Sequence, residues 1–477
     1  MVAENHIAGF MEPIARRLEG SCSVRSLGVA RTVLTKEPEH YLNFFYLRRS
    51  GWGWWAAVTP GKRFRKLKRF ARASFQPKSG PVDFLAYAGT SNQLAALRST
   101  VEALQGAGER LLVVAPNTLL SERDQRDSTY GNMRTGREEW WQALLLSALR
   151  FPTVLGQAIR VRKGRLGARI IGLSSAHHHL VYFGRLLWQV EPSFVIVSND
   201  HNVENRCLIA VARARNIKTV YLQHASVSAV FPALNFDYAF LDGQAALAVY
   251  RQCEQNLSPS DSLRSERHVI LSGQKKKLPR EKREKTGGAV GLAINSLDSL
   301  EEAGRLVRFL SSEDVPLKIR WHPAILRSVR VKYLEDWGRY SVSYSDPGEE
   351  DVGQFLEGLV ALIAGNSGIH LEASLCGVPS LYFEMGPATE KDYYGFIAQG
   401  LVVSCPDLDA LSGSIATAFR GGLRVNAEAN RHYSATFGTL WEGREGELVG
   451  LCLASLLHTN RLPGDLNGHL SDFHEMM

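Results

Sequence analysis

The chain has 477 residues, 45% hydrophobic and 22% charged, with a formal net charge of +8. Those proportions exclude a disordered, fibrous or disulfide-stapled small protein and leave room for two or three domains with full cores. The surplus of positive charge favours anionic partners. The six cysteines (Cys22, Cys207, Cys253, Cys376, Cys405 and Cys452) are scattered without a CxxC pair, which suits reduced, buried thiols and no bound metal.

Residues 1–81 read as an irregular, aromatic-rich N-terminal region. Trp52, Trp54 and Trp55 precede the basic run KRFRKLKRFARASFQPK (62–78), in which Phe64, Leu67, Phe70 and Phe75 sit among the cations. That mix suits a helix lying on an anionic membrane surface or, equally, a solvated basic face. No run approaches the roughly 18–20 apolar residues of a membrane span, and the N-terminus lacks the basic-then-apolar pattern of a leader. A cytoplasmic protein that touches the inner membrane face is expected.

From residue 82 a repeating pattern begins. VDFLAYAG (82–89), RLLVVAP (110–116), FVIVSND (194–200), TVYLQHA (219–225), YAFLDG (238–243) and HVILSG (268–273) are strand-like apolar runs. Helical spacing separates them over 92–104, 140–159, 177–190 and 203–215. Strands alternating with helices predict βαβ units and a parallel sheet. His177, His178 and His179 are adjacent, so on a helix they fan around the axis and cannot converge on a metal as an i, i+4 pair would. Residues 275–287, charged and aperiodic, read as a linker. The pattern then restarts: strands over 288–295, 315–323, 359–368, 378–383 and 401–405, and helices over 297–310, 369–375 and 408–419. The domains expected are 82–274 and 288–422, with 423–477 a helical segment that packs back on the first.

In open parallel sheets, ligands bind at the carboxyl ends of strands, so the polar residues there are the candidates. AGNSGIHLEASLCGVPSLYF (364–383) takes a strand through Asn366, Ser367 and Gly368 into a helix. Unpaired N–H groups at a helix start, with the Ser hydroxyl, can seat a phosphate, and Glu372 lies one turn on, within reach of ribose hydroxyls. The plainer reading makes Ser367 an N-cap. Arg320 and His322, before Pro323, can donate to a phosphate. His224 ends a strand of the first half, where an imidazole can act as general base. Asp200 in SNDH (198–201) is a second base candidate, or a simple helix cap.

These motifs resemble known families. PSFVIVSNDHNVENRCLIAVARARNIKTVYLQHASVS (192–228) resembles the corresponding stretch of UDP-N-acetylglucosamine 2-epimerases and related GT-B glycosyltransferases. Asn366-Ser367-Gly368 through Glu372, with Gly377-Val378-Pro379, resembles the nucleotide-binding turn and helix of that superfamily. Arg320 with His322-Pro323 resembles the His-Pro motif of bacterial polysialyltransferases and of CDP-glycerol glycerophosphotransferases. Gln223-His224 resembles an element of the latter that supplies their base. The sequence departs from these patterns at Ala225, where the teichoic-acid enzymes have Gly, at Gly368, where the polysialyl group has a second Ser, and at Asn199-Asp200-His201, where epimerases have Gly-Asp-Thr.

The resemblance implies an α/β GT-B fold, two Rossmann-like domains facing each other across a cleft. It implies a glycosyltransferase using a CMP-, CDP- or UDP-linked sugar to extend a bacterial surface polysaccharide (capsule, lipopolysaccharide or similar). His322 and Ser367 would hold the donor phosphate, Glu372 the ribose, and His224 would be the base, with Asp200 second. No cofactor or metal is expected beyond the nucleotide-sugar donor, and the acceptor would be a glycan or glycolipid. The alternatives are a CDP-polyol phosphotransferase and a sugar-nucleotide 2-epimerase. No RNP, zinc-finger or helix-turn-helix pattern occurs, so no nucleic-acid partner is expected.

Overall fold

The computed structural model describes residues 22–37, 39–42, 80–133, 136–160, 166–229, 231–255, 266–275, 288–323, 325–340, 342–386, 391–464 and 474–476. Two parallel sheets organise them. The first is built from β1 (Phe84–Tyr87), β2 (Leu111–Ala115), β3 (Tyr130–Asn132), β4 (Phe194–Val197), β5 (Lys218–Leu222), β6 (Tyr238–Leu241) and β7 (His268–Leu271). The second is built from β8 (Ala289–Ile294), β9 (Leu317–Trp321), β10 (Val342–Ser345), β11 (Leu359–Ala364), β12 (Ser380–Tyr382) and β13 (Val403–Ser404). β14 (His474–Met476) adds to β7 as an antiparallel edge.

The strands are continuous apolar runs because helices cover both sheet faces. β1, β2, β4, β6 and β11 are buried along their whole length. Strand order is β7-β6-β5-β4-β1-β2-β3 in the first sheet and β10-β9-β8-β11-β12-β13 in the second. In each, chain order reverses beside the first strand, between β1 and β4 and between β8 and β11. Such switch points open a crevice at the carboxyl ends of the strands.

Several local expectations change. Part of the N-terminal region read as irregular is the helix Cys22–Lys36. Its buried Ser26, Ala30, Val33 and Leu34 recur at helical spacing and lie in the core beside helix Leu166–Val190. Trp52, Trp54, Trp55 and residues 62–78 lie outside the described residues. The single helix expected over 140–159 is two, Arg137–Leu149 and Phe151–Arg160. Pro152 lacks an N–H and its ring clashes with the carbonyl four residues back, so it fits only in the first turn of a new helix. His177, His178 and His179 lie inside Leu166–Val190, which begins earlier than the pattern suggested. Short β3 and β10, both edge strands, escaped the periodicity.

Lys275, read as the first linker residue, is buried, and its Nζ donates to Asp242 Oδ1 (3.0 Å) and to the Gly273 carbonyl (2.8 Å). Residues 276–287 lie outside the described residues. After the second sheet, helix Ala427–Tyr433 packs against both helix Ile369–Leu375 and helix Gln244–Gln255, and so joins the two halves. Helix Glu445–Thr459 then packs on helix Ser91–Gly106 of the first domain. Glycine makes that approach possible: a Cβ added at Gly450 would lie 2.7 Å from the Ala103 Cβ.

Gly450→Val is therefore expected to destabilise the fold by about 1–3 kcal/mol through overpacking. Gly413→Ala, in helix Leu408–Phe419 with open space around it, is expected to leave the melting temperature equal or higher, since Ala loses less backbone entropy in a helix. Thermal unfolding of the two variants beside the parent checks both.

Candidate functional site

The second sheet gathers its polar strand ends at the β8/β11 switch point. Past β8, Asn295 is buried, and its Nδ2 donates to the Asn366 carbonyl at 3.0 Å, tying the two sides of the switch together. Past β9, the His322 N–H donates to the Ile294 carbonyl at 2.8 Å, which sets His322 beside Asn295. Past β11 comes the turn Gly365-Asn366-Ser367-Gly368, then helix Ile369–Leu375. His322, Asn295 and the turn thus occupy three adjacent strand ends. The helix cap position is Gly368, without a side-chain cap bond, so Ser367 is not the N-cap of the plainer reading.

A buried histidine braces the turn. His370 Nε2 donates to the Gly365 carbonyl (2.8 Å), and its Nδ1 accepts from the Ser380 hydroxyl (2.6 Å). Burial pushes the His370 pKa down to about 4, which keeps the ring neutral and fixes that tautomer at neutral pH. Asn366 Oδ1 accepts from the Tyr393 N–H at 3.0 Å. Nearby, Asp298 accepts from the Asn295 N–H (2.7 Å), and burial, with Glu384 adding repulsion, pushes its carboxyl up to about 6.

Arg320 is placed differently from the expectation of a cleft-facing cation. It is 6% exposed, and its Nη1 donates to Ser345 Oγ (2.6 Å) and to the Glu350 carbonyl (3.0 Å). Its guanidinium lies over the Phe355 ring at 5.5 Å. Its charge is felt by Glu372, itself buried on helix Ile369–Leu375. His322, by contrast, is exposed, although partial desolvation lowers its pKa.

In the first domain, His224 begins a loop at the end of β5. Gln223 anchors that loop: its Oε1 accepts from the Asp242 N–H (2.8 Å) and its Nε2 donates to the Ala225 carbonyl (3.0 Å). Asp200 sits one strand over with both carboxylate oxygens engaged. Oδ1 lies 2.7 Å from His201 Nδ1, and Oδ2 accepts from the Tyr250 hydroxyl at 2.8 Å. Tyr250 is in turn 3.0 Å from the Tyr221 hydroxyl, and the Asn199 Nδ2 reaches His201 Nε2 at 2.9 Å. Asp200 also lines a small crevice with Glu37, Arg206 and Arg213, on the side of helix Val203–Ala214. It anchors a closed polar network.

The two halves meet at the loop that starts with His224. Gly368 faces Ser226, whose Oγ would lie 3.8 Å from a Cβ at that glycine. The Tyr393 hydroxyl donates to Ser228 Oγ across the cleft. The turn at Asn366, the strand end at His322 and the loop at His224 therefore share one region. Sequence reasoning missed Tyr393, His370 and Asn295. Their signals were faint: an aromatic pair before a glycine (393–395), a lone histidine in a helix, and an asparagine after a strand.

No protein-family model matches the chain, and no curated protein matches it in sequence. Solved structures do match in shape. A Listeria monocytogenes protein described as a UDP-N-acetylglucosamine 2-epimerase is 13% identical with a TM-score of 0.50, covering 81% of this chain and 99% of its own. Another UDP-N-acetylglucosamine 2-epimerase is 12% identical, also at 0.50, covering 82% and 100%. The chain has the GT-B fold, and these structural neighbours are sugar-nucleotide enzymes.

His370 supplies a pH test of the brace. Its pKa is about 6.5 when unfolded and about 4 when folded, so the unfolded chain binds the extra proton first. Its contribution to stability is whole above about pH 6.5 and is lost as pH falls toward 4. His370→Gln is expected to melt below the parent at pH 7.5 and to close that gap by pH 4.5, as read by thermal unfolding across that range.

Proposed function

We propose that this chain is a metal-independent glycosyltransferase that uses a nucleotide-activated sugar to extend a bacterial surface polysaccharide. The observation that carries this reading is the meeting of the two sheets' strand ends, where the His224 loop faces the Asn366–Gly368 turn. A donor seated on the turn presents its sugar across the cleft, and an acceptor hydroxyl arrives from the first domain.

The residues divide as follows. Backbone N–H groups of the turn, Ser367 and His322 hold the donor phosphates, and Glu372 takes the ribose. Arg320 acts from behind the strand end, where its buried charge favours an anion without touching it. His322 is neutral in the empty site because desolvation lowers its pKa, and a bound diphosphate raises it, so the charge appears where the leaving group needs stabilisation. His224 removes the acceptor proton; an imidazole titrates near neutral pH. Asp200 is the weaker candidate because His201 and Tyr250 already occupy its oxygens. Tyr393 positions the two halves relative to each other. An epimerase would process the same donor with no acceptor, so product analysis with and without acceptor separates the two readings.

Thermal-shift measurements with CMP, CDP, UDP and GDP test the donor site. A ligand at 100 times Kd stabilises the fold by about 2.7 kcal/mol. His322→Ala is expected to abolish the shift, and His224→Ala to keep it while losing turnover; a full shift in His322→Ala contradicts the donor assignment. Turnover is expected to persist in EDTA. Affinity for a UDP-sugar, whose diphosphate does not titrate near neutrality, is expected to rise from about pH 7.5 to about pH 6, and His322→Gln to remove that rise. Tyr393→Phe is expected to lower kcat/KM by up to about tenfold, the worth of one hydrogen bond. The Ser228→Ala double variant is expected to be no worse, as a double-mutant cycle would show.

A further inference from the structure

The loop that carries His224 is anchored on both sides of Ser226. Gln223 pins its start through the Asp242 N–H and the Ala225 carbonyl. Further on, Val227 and Ser228 are buried, and the Ser228 carbonyl accepts from the Phe231 N–H at 2.9 Å and from Cys253 Sγ at 3.7 Å. The Ser228 hydroxyl receives the Tyr393 hydroxyl from the other domain. Ser226 stands between these anchors, half-buried, so its side chain projects from a backbone held in place.

Gly368 shows where that side chain points. A Cβ built there would lie 3.8 Å from Ser226 Oγ and, beyond its chain neighbours, would meet no other atom of the described residues within 4 Å. Gly368 has φ −63° and ψ −15°, right-handed values open to any residue, so the backbone does not demand glycine. What the missing side chain leaves is a gap, with the turn as one wall and the Ser226 hydroxyl on the other. Among the described residues neither the Ser226 nor the Ser367 hydroxyl makes a hydrogen bond to the protein. Bonds from N–H to oxygen run at about 2.9 Å and those from a hydroxyl at about 2.7 Å. A phosphate oxygen bonded to the turn in that gap therefore comes within reach of Ser226 Oγ. A hydroxyl binds an ionised acceptor more strongly than a neutral one, and the bond strengthens as charge builds on a leaving phosphate.

We propose that Ser226 of the first domain completes the donor seat of the second, so that the leaving phosphate is gripped from both walls of the cleft. This rests on the transferase reading and adds to it a donor contact from the acceptor side. In the reaction the bond from the sugar's anomeric carbon to the phosphate oxygen breaks, and its electron pair stays on the phosphate. The acceptor oxygen bonds to that carbon and its proton passes to His224. Ser226 keeps its own proton and donates a hydrogen bond to the phosphate. His224 lies two residues earlier on the same loop, so this contact also sets the base against the sugar.

The test uses the full chain and whichever of CMP, CDP, UDP and GDP stabilises it most, beside the matching nucleoside. Ser226→Ala is expected to melt with the parent when empty and to bind the nucleotide about tenfold more weakly, the worth of one hydrogen bond to an anion. Its affinity for the nucleoside, which has no phosphate, is expected to be unchanged. Ser226→Thr keeps a hydroxyl and is expected to recover most of the loss. Gly368→Ala, whose methyl enters the gap, is expected to weaken nucleotide binding without lowering the melting temperature. Full nucleotide affinity in Ser226→Ala, with His322→Ala still losing it, overturns the bridge and leaves the donor site standing. An equal loss of nucleotide and nucleoside overturns it too, since the hydroxyl would then only shape the loop. A parent that no nucleotide stabilises overturns the donor reading, and the bridge with it.

Discussion

Tyr393 holds two sheets with one residue. Its backbone N–H donates to Asn366 on the turn of the second domain, and its hydroxyl donates to Ser228 on the loop of the first. Parallel sheets place their polar ends on one edge, and a GT-B arrangement is useful when two such edges face each other. Each domain alone offers half of the proposed site: the turn at Asn366 on one side, the loop that starts with His224 on the other. Helix Ala427–Tyr433 adds the wider support, since Asn430 Oδ1 accepts from the Ser374 hydroxyl at 2.6 Å while the helix also packs on the first domain.

Burial sorts the polar groups at these strand ends. Arg320 is almost fully enclosed, so in the proposed site its effect on a donor would come through the field inside a low-dielectric region, where a charge reaches further than in water. His370 is enclosed too, and neutrality is what lets it brace the turn with one donor and one acceptor. Asp200 is enclosed with both oxygens engaged. His322 stands at the surface of the cleft, where it can meet a ligand and change charge on doing so. His224 stands at the start of a loop that Gln223 pins from behind.

The alternation of apolar strands and helices was legible because both sheets are buried on both faces, which forces long runs such as FVIV (194–197) and LVALIA (359–364). β3 and β10 lie at sheet edges, half covered, and their sequences YGN and VSYS carry no such run. Helix Cys22–Lys36 was hidden by small and polar residues, with Ser26 and Ala30 in its contact face. Strand-end chemistry could be listed from sequence, since Asn366, His322 and His224 each follow an apolar run. Their mutual distance could not, because it depends on Tyr393, Gly368 and Ser226, whose roles arise from contacts between segments more than 100 residues apart in the chain. The direction of Arg320 was equally invisible: alternation along β9 fixes that it points away from Trp321, and only the neighbours Ser345 and Phe355 show that this side is enclosed.

The central proposal is a phosphate seat at the Asn366–Gly368 turn facing the His224 loop. A crystal structure of the protein soaked with UDP, CDP or CMP at saturating concentration tests it most directly. Phosphate density is expected against the N–H groups that open helix Ile369–Leu375, flanked by His322 and opposite Ser226. A nucleotide bound elsewhere, with the turn empty and the two domains holding their present contact, would contradict it.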